Sequence, residues 1–449
     1  MNILIVSYYQ IYPFEIGASI AQFGMIEYLS NLCNIILLLP ENNTLTDNQL
    51  AELQKLLPKV KIYVLDSKND LSYNKILSLI FKLYNFVHIF KSKVKNKIKK
   101  ISFLHKNNKI NYSAEQEFLD IYYSYNLFPL RNSKYIYKIN EIIIKEKIDI
   151  VQLEFVENLN LVSSIPQNVK KVFVQHECLF YRIKSHINAK KINFLLSQYV
   201  LNFYKNIELS LLSDFDGILS FNNLENLFLE SSLKPINPNI EFCVSPYPVL
   251  EKDFQKLDRK LFRKPNKLIF VGGDQHLPNK DAVEWFISEA AVEIFQKFGL
   301  KLYVVGKWQP EIVKKYKNHP SGVEFVGFIE DLYEFSKNSI SIAPIRIGGG
   351  LKTKIMLAMA QGIPVICTKF ALEGIHANHL ESVMIAEDKD SFSFAVEYLI
   401  TDLERTFLIC QNAQNLMRQN YSQGVVSEIR YNFYKNILKS NEILESVGS

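Results

Sequence analysis

Three consecutive glycines, Gly348, Gly349 and Gly350, constrain this 449-residue chain more than any other stretch. They lie within Pro344–Pro364, PIRIGGGLKTKIMLAMAQGIP, between the apolar run Ile340–Ala343 and a short helical pattern. Glycine takes positive φ without strain and lets a ligand come close to the backbone. A helix N-terminus beside such a turn presents unpaired N–H groups and partial positive charge. Arg346, Lys352 and Lys354 add three cations. This combination suits a diphosphate. The plainer alternative is a turn that only joins a strand to a helix.

A chain of this length is expected to form two domains. Hydrophobic residues make up 48% of it, enough for two cores and against wholesale disorder. Cys33, Cys178, Cys243, Cys367 and Cys410 are scattered, without CxxC or Cys/His spacing. They point to reduced thiols in a cytoplasmic protein, with no disulfide framework or zinc site. The opening MNILIVSYYQ has no basic n-region and too short an apolar run for a signal peptide. No apolar stretch approaches the roughly 18 residues needed to span a bilayer. The net charge of +6 is modest but unevenly placed. Lys91–Ile110, KSKVKNKIKKISFLHKNNKI, holds eight lysines and no acid, with Val94, Ile98, Ile101 and Leu104 at helical spacing. Such a segment suits contact between Lys91–Lys109 and an anionic membrane, at the inner face of the plasma membrane; the bland reading is a solvated helix face. Nucleic acid is not expected as a partner, because no recognised module accompanies the charge.

Strand-like runs recur through the first half at Asn2–Ser7, Asn34–Leu39, Lys61–Asp66, Asp149–Phe155, Lys171–Gln175, Gly217–Phe221 and Glu241–Val244. Helical patterns at 43–58, Ile136–Glu146 and Ile192–Leu212 lie between them. No GxGxxG follows the first strand, which argues against a nicotinamide dinucleotide. Gly17 precedes the first helix, where a substrate phosphate could rest on backbone N–H groups, or where a loop simply turns. His176 and Glu177 follow a strand end, where ligands bind in open α/β sheets. His176 is therefore a candidate, against the reading of a structural histidine. Tyr122, Tyr123, Tyr125, Tyr135 and Tyr137 form either an acceptor surface or ordinary packing. The prolines of SPYPVLEKD mark a domain crossing.

The alternation then restarts. Strand-like runs fall at Lys267–Val271, before Gly272 and Gly273, and at Leu300–Val305, Val323–Val326, Ile340–Ala343, Val365–Thr368 and Val383–Ile385. Helices are expected over Ala282–Phe295, Asp331–Ser336, Ser391–Leu399 and the tail Leu403–Leu444. The predicted fold is α/β, two Rossmann-like domains facing a cleft. The expected boundaries are 1–250 (with a basic insertion at about 71–135), 263–425, and a C-terminal helix over 426–449 that returns to the first domain.

Four segments carry a resemblance: VGGDQHLPNKDAVEWF, VEFVGFIEDL, APIRIGGGLKTKIMLAMAQGIPVICT and FALEGI. In order and spacing they resemble the C-terminal half of GT-B glycosyltransferases of the large retaining group called family 4. NILIVSYY, KIDIVQLEF, VFVQHECLFYRIK and SDFDGILSFNNLEN match the N-terminal half in register, and only about Asp70–Ile136 is left outside. The resemblance implies a nucleotide-sugar donor held by the second domain and an acceptor on the first. It implies that Gly348–Gly350, Lys354 and, as a weaker match, Arg346 face the diphosphate. Gly272 and Gly273 belong to the same donor site. Gly327 and Phe328 fall where the base lies against the main chain, His176 near the donor sugar, and Gly17 by the phosphates. Glu373 lies in the loop matching the family's aEG sequence. His176 and Lys354 are the residues expected to carry catalysis. No metal or cofactor is implied, since cations and helix dipoles can neutralise the leaving diphosphate.

The chain departs from the pattern in one respect. Many members have two glutamates separated by seven residues, ending in EAMA; here Gly349 and Leu357 occupy those positions. The second glutamate normally bonds the donor ribose, and losing such a bond costs about 1.5–3 kcal/mol. The expected activity is transfer of a sugar, with retention, from a nucleotide-diphosphate sugar to a bacterial surface glycan or lipid-linked acceptor. The alternative is a degenerate GT-B protein that binds a glycan or partner without turnover.

Overall fold

The computed structural model describes residues 1–13, 17–40, 45–65, 128, 133–190 and 193–447. The basic segment Lys91–Lys109 and Tyr122, Tyr123 and Tyr125 fall outside the described residues. Among the described residues, two wholly parallel sheets organise the chain. The first has seven strands in the order β3-β2-β1-β4-β5-β6-β7. These are β1 (Asn2–Val6), β2 (Asn34–Leu39), β3 (Lys61–Val64), β4 (Ile150–Glu154), β5 (Lys170–Gln175), β6 (Gly217–Ser220) and β7 (Glu241–Val244). The second has six strands in the order β10-β9-β8-β11-β12-β13. These are β8 (Lys267–Val271), β9 (Leu302–Val305), β10 (Glu324–Gly327), β11 (Ser339–Ala343), β12 (Val365–Cys367) and β13 (Met384–Ile385). Helices cover both faces of such sheets, so the strands are apolar at nearly every position. All five residues of β4 and of β11 are buried.

In each sheet the strand order reverses once, between β1 and β4 and between β8 and β11. Helices leave on opposite faces at such a reversal and open a crevice beyond the carboxyl ends of the strands. The Pro344–Leu351 loop follows β11, Gly272 follows β8, and His176 follows β5. The topology alone therefore gathers these segments at the strand ends.

The chain crosses between domains twice, at adjacent points. Val249 N–H donates to Tyr421 O (2.7 Å), and Gln423 N–H donates to Val249 O (3.0 Å). The tail pattern from Leu403 to Leu444 is thereby cut at Ser422, which is extended (φ −63°, ψ 151°) and ends the helix Leu403–Tyr421. The next helix, Gln423–Val447, packs on the first domain. Gln423 Nε2 donates to Gly24 O (2.6 Å) and Glu27 Oε2 (2.8 Å), and Arg430 Nε donates to Ser245 Oγ (3.2 Å). A Cβ on Gly217 would stand 2.3 Å from Ile437 Cδ1, so only glycine lets this helix settle on β6. The expected helix Ala282–Phe295 is longer and less regular than its pattern. It starts at Leu277, widens into a π turn over Ile287–Ala291 and ends at Gly299, which is left-handed (φ 72°).

Candidate functional site

The glycine turn needs its glycines. Gly348 (φ 110°) and Gly350 (φ 65°) lie in the left-handed half of backbone space. Lys352, only 8% exposed, reaches back with Nζ to Gly350 O (2.6 Å) and Gly349 O (3.3 Å). It thus clamps the turn at the start of the helix Thr353–Ala360. One residue into that helix, Lys354 Nζ donates to Asn279 Oδ1 (2.6 Å) and lies 4.1 Å from the centre of the buried Phe270 ring. Desolvation, then repulsion from Lys352, pulls the Lys354 ammonium down to about 7. Desolvation also lowers Lys352, against the pull of Glu373, Glu177 and Glu225. Lys352 thus has carboxylates around it, whereas no acid is among the charges acting on Lys354, which leaves that buried ammonium suited to an anion.

The turn is half-exposed and faces the first domain. A Cβ on Gly349 would stand 2.5 Å from Glu177 Oε1, and one on Gly350 would stand 3.4 Å from His176 O. Just behind, Gly374 (φ 82°) lies against Asn222, whose Cβ would be 2.8 Å away. Tyr421 secures the turn around Glu373 and Gly374. Its hydroxyl donates to Gly374 O (3.2 Å) and accepts from His376 N–H (3.0 Å). Glu373 is half-buried and acts on Lys352 through its charge.

On the facing wall His176 is held from three sides. Its ring stacks on Phe155 (3.9 Å, 18°) and meets the edge of Phe221 (4.9 Å). Nε2 lies 2.9 Å from Glu154 Oε2. Burial alone would raise the Glu154 carboxyl. The bond and charge of His176, the charge of Arg430 and a bond from Gln152 Nε2 (2.6 Å) outweigh burial and hold Glu154 below the ordinary carboxylate value. An ionised carboxylate only accepts, so Nε2 carries the proton in this pair. Arg430 is itself 3% exposed and belongs to the returning helix, which therefore reaches the floor of the crevice.

The ends of β8, β9 and β10 form a third wall. Gly272 N–H donates to Val305 O, and Gly306 N–H donates to Gly327 O, each at 2.8 Å. Trp308 Nε1 donates to Gly272 O (2.8 Å). A Cβ on Gly273 would stand 2.7 Å from Lys307 O, and one on Gly272 would stand 2.9 Å from Lys354 Nζ. Beside Gly327 (φ 74°) there is open space, and Phe328 is 74% exposed. Gly306 combines φ 132° with backbone 2.8 Å from its Cβ position. Gly306→Ala is expected to destabilise the second domain by about 1–3 kcal/mol, measured as a lower urea midpoint. Gly299→Ala, with open space around it, should lose only the backbone part.

The structure thus brings Gly272, Gly273, Gly348, Gly349, Gly350, Lys354, Glu373 and His176 around one crevice, with Gly327 and Phe328 at its third wall. Gly17 opens the helix Gly17–Leu29 that follows β1. Arg346 is committed elsewhere. Its guanidinium pairs with Asp281 through two bonds (2.8 and 3.2 Å) and covers Trp285 (5.0 Å). Of the tyrosines, Tyr135 is core and Tyr137 is 73% exposed. Glu154, Asn279 and Arg430 are site residues that sequence reasoning did not select, and Glu177 was placed at the strand end beside His176 without a role. The signal for Glu154 was a lone acid closing the apolar run of β4. Among the described residues, no group of three or more His, Cys, Asp or Glu is placed to hold a metal ion. No described helix is long and apolar enough to cross a membrane.

Residues 265–402 match the family model described as "Glycosyl transferases group 1". No curated protein sequence matches the chain significantly. Similar solved structures include sucrose-phosphate synthase from Thermosynechococcus elongatus, with TM-score 0.63 and 12% identity, over 98% of this chain and 100% of that one. S. aureus TarM, in complex with fondaparinux, alpha-GlcNAc-glycerol and UDP, has TM-score 0.62 and 10% identity, over 97% and 99%. Anabaena Alr3699/HepE, in complex with UDP, has TM-score 0.58 and 10% identity, over 97% and 100%. At these identities the structures speak for the fold, and the matched segment contains Gly272, Gly273, Gly327, the triple glycine, Lys354 and Glu373. The protein has the GT-B fold, and its residues 265–402 match the group 1 glycosyltransferase family.

Proposed function

We propose that the protein transfers a sugar, with retention, from a nucleotide-diphosphate sugar to a glycan or lipid-linked acceptor of a bacterial surface. One observation carries this reading: the glycine turn, flanked by the buried Lys354 with no acid acting on it and by Lys352, faces His176 across a crevice between the domains. Departure of a nucleoside diphosphate builds negative charge, and preorganised N–H groups and ammonium ions stabilise such charge best where water is scarce. Lys354 and the amides of Gly348–Gly350 take that role, without a metal. His176, held by Glu154, lies across from them, where the transferred sugar would be. The nucleotide lies toward Gly327, where there is room beside the main chain. The UDP in the TarM and Alr3699/HepE structures is consistent with such a donor. The basic segment Lys91–Lys109 would keep the enzyme at an anionic membrane, close to a lipid-linked acceptor.

Leu357 supports the second reading, of binding without turnover. It is half-buried on the helix after the turn, with no group able to bond a ribose. Thermal shifts with UDP, GDP, ADP and CMP, followed by a donor-hydrolysis assay, separate the two. A ligand at about a hundred times its dissociation constant should stabilise the fold by about 2.7 kcal/mol. A shift with hydrolysis supports the transferase. No turnover of any donor by the folded protein favours the binding role, and no shift with any nucleotide removes the transferase.

A further inference from the structure

We propose that Glu177 of the first domain is part of the donor site, and that diphosphate binding is coupled to uptake of one proton by its carboxyl group. The proposal rests on the glycine turn being the diphosphate site. Glu177 Oε1 lies 2.5 Å from the Cβ position of Gly349, and Cγ and Cδ lie 3.1 Å from it. The carboxyl group therefore occupies the space directly over the turn, space that any side chain at position 349 would claim. An incoming diphosphate must arrive beside it. Two anions would then compete for the same cations and amides.

Four charged groups decide how the carboxyl responds. Arg182 of the helix Leu179–Lys190 lies 3.6 Å from Oε2, and Lys352 approaches from the glycine turn; both favour the ionised form. Glu157, in the turn after β4, opposes it. Glu225, itself buried, shares Lys352 with it and repels it in turn. Burial dominates this balance and raises the Glu177 carboxyl above its ordinary value. A diphosphate both draws Lys352 away and adds negative charge, so each effect pushes the proton onto Glu177. Once protonated, the carboxyl can donate a hydrogen bond to a diphosphate oxygen.

The test uses UDP and inorganic pyrophosphate as probes on the full chain, with Glu177→Gln as the variant. Gln keeps the shape and can donate at every pH. Between pH 6 and pH 8 its affinity for UDP should gain on the parent's as pH rises, by no more than about tenfold per pH unit. The ratio of the two affinities cancels titration of the probe and of Lys354, which are common to both proteins. Calorimetry in buffers of different ionisation heat should show the parent taking up as much as one proton more than the variant. Glu177→Ala, which also empties the space over Gly349, should follow Gln in direction. A constant affinity ratio across this range or equal proton uptake overturns the proposal while leaving the donor site intact. Failure of both probes to bind any form overturns the donor site and this proposal with it.

Discussion

Lys354→Met should lower turnover of a nucleotide-sugar donor by about 10²–10³-fold, the usual loss on removing one preorganised group that meets developing charge. Methionine matches the lysine stem in length and can stay beside Phe270, so the loss would report charge and not packing. Steady-state kinetics checks it: if kcat is unchanged, Lys354 does not stabilise the transition state. The ammonium titrates at about 7 in the free protein, so UDP should bind more weakly as pH rises above that value, by no more than about tenfold per pH unit. The stability effect has the opposite sense. Folding depresses this amine from its unfolded value of roughly 10.4. The cost of burying the charge is full below about 7 and fades as pH rises toward the unfolded value. Lys354→Met should therefore stabilise the ligand-free protein at neutral pH, and the gain should shrink in alkaline solution. An enzyme that is more stable and less active after one substitution has its site lysine in a strained position.

Glu154→Gln should destabilise the first domain by about 1.5–3 kcal/mol, the usual contribution of a hydrogen bond to a charged group. Arg430, 3% exposed, would lose the attraction of the Glu154 charge, and His176 would lose the carboxylate beside Nε2. The pH dependence follows from the depressed carboxyl. Its contribution is present above the unfolded carboxylate value and is lost as pH falls through the lower folded one. The parent should thus lose stability in acid more steeply than Glu154→Gln. Urea unfolding at neutral and acid pH measures both effects, and equal midpoints for the two proteins at neutral pH would show that the pair contributes nothing.

The strands were legible because parallel sheets covered on both sides demand unbroken apolar runs; β2, β5 and β11 stand within a residue of where their sequences place them. The glycine turn was legible for a similar reason, since Gly348 and Gly350 occupy backbone regions that other residues adopt only rarely. What could not be read depends on partners far along the chain. The boundary expected from sequence falls at 425/426, but the helix breaks at Ser422, where Val249 bonds the backbone. Arg346 looked like a phosphate ligand by its neighbours in sequence, yet its partner Asp281 lies 65 residues away. Glu177 was visible only as the residue after a candidate histidine. Its place over Gly349 comes from the docking of two domains that were read separately.

The paired crossings also limit how this molecule can move. Because residues 249 and 422 are bonded side by side, the two lobes share one pivot instead of two separated tethers. Swinging the lobes apart about that axis would lift Glu177 from Gly349 and Asn222 from Gly374 in a single rotation. Tyr421 stands at the axis and grips the main chain at Gly374 and His376. Any rotation there would act on the turn carrying Glu373 through the two bonds of the Tyr421 hydroxyl.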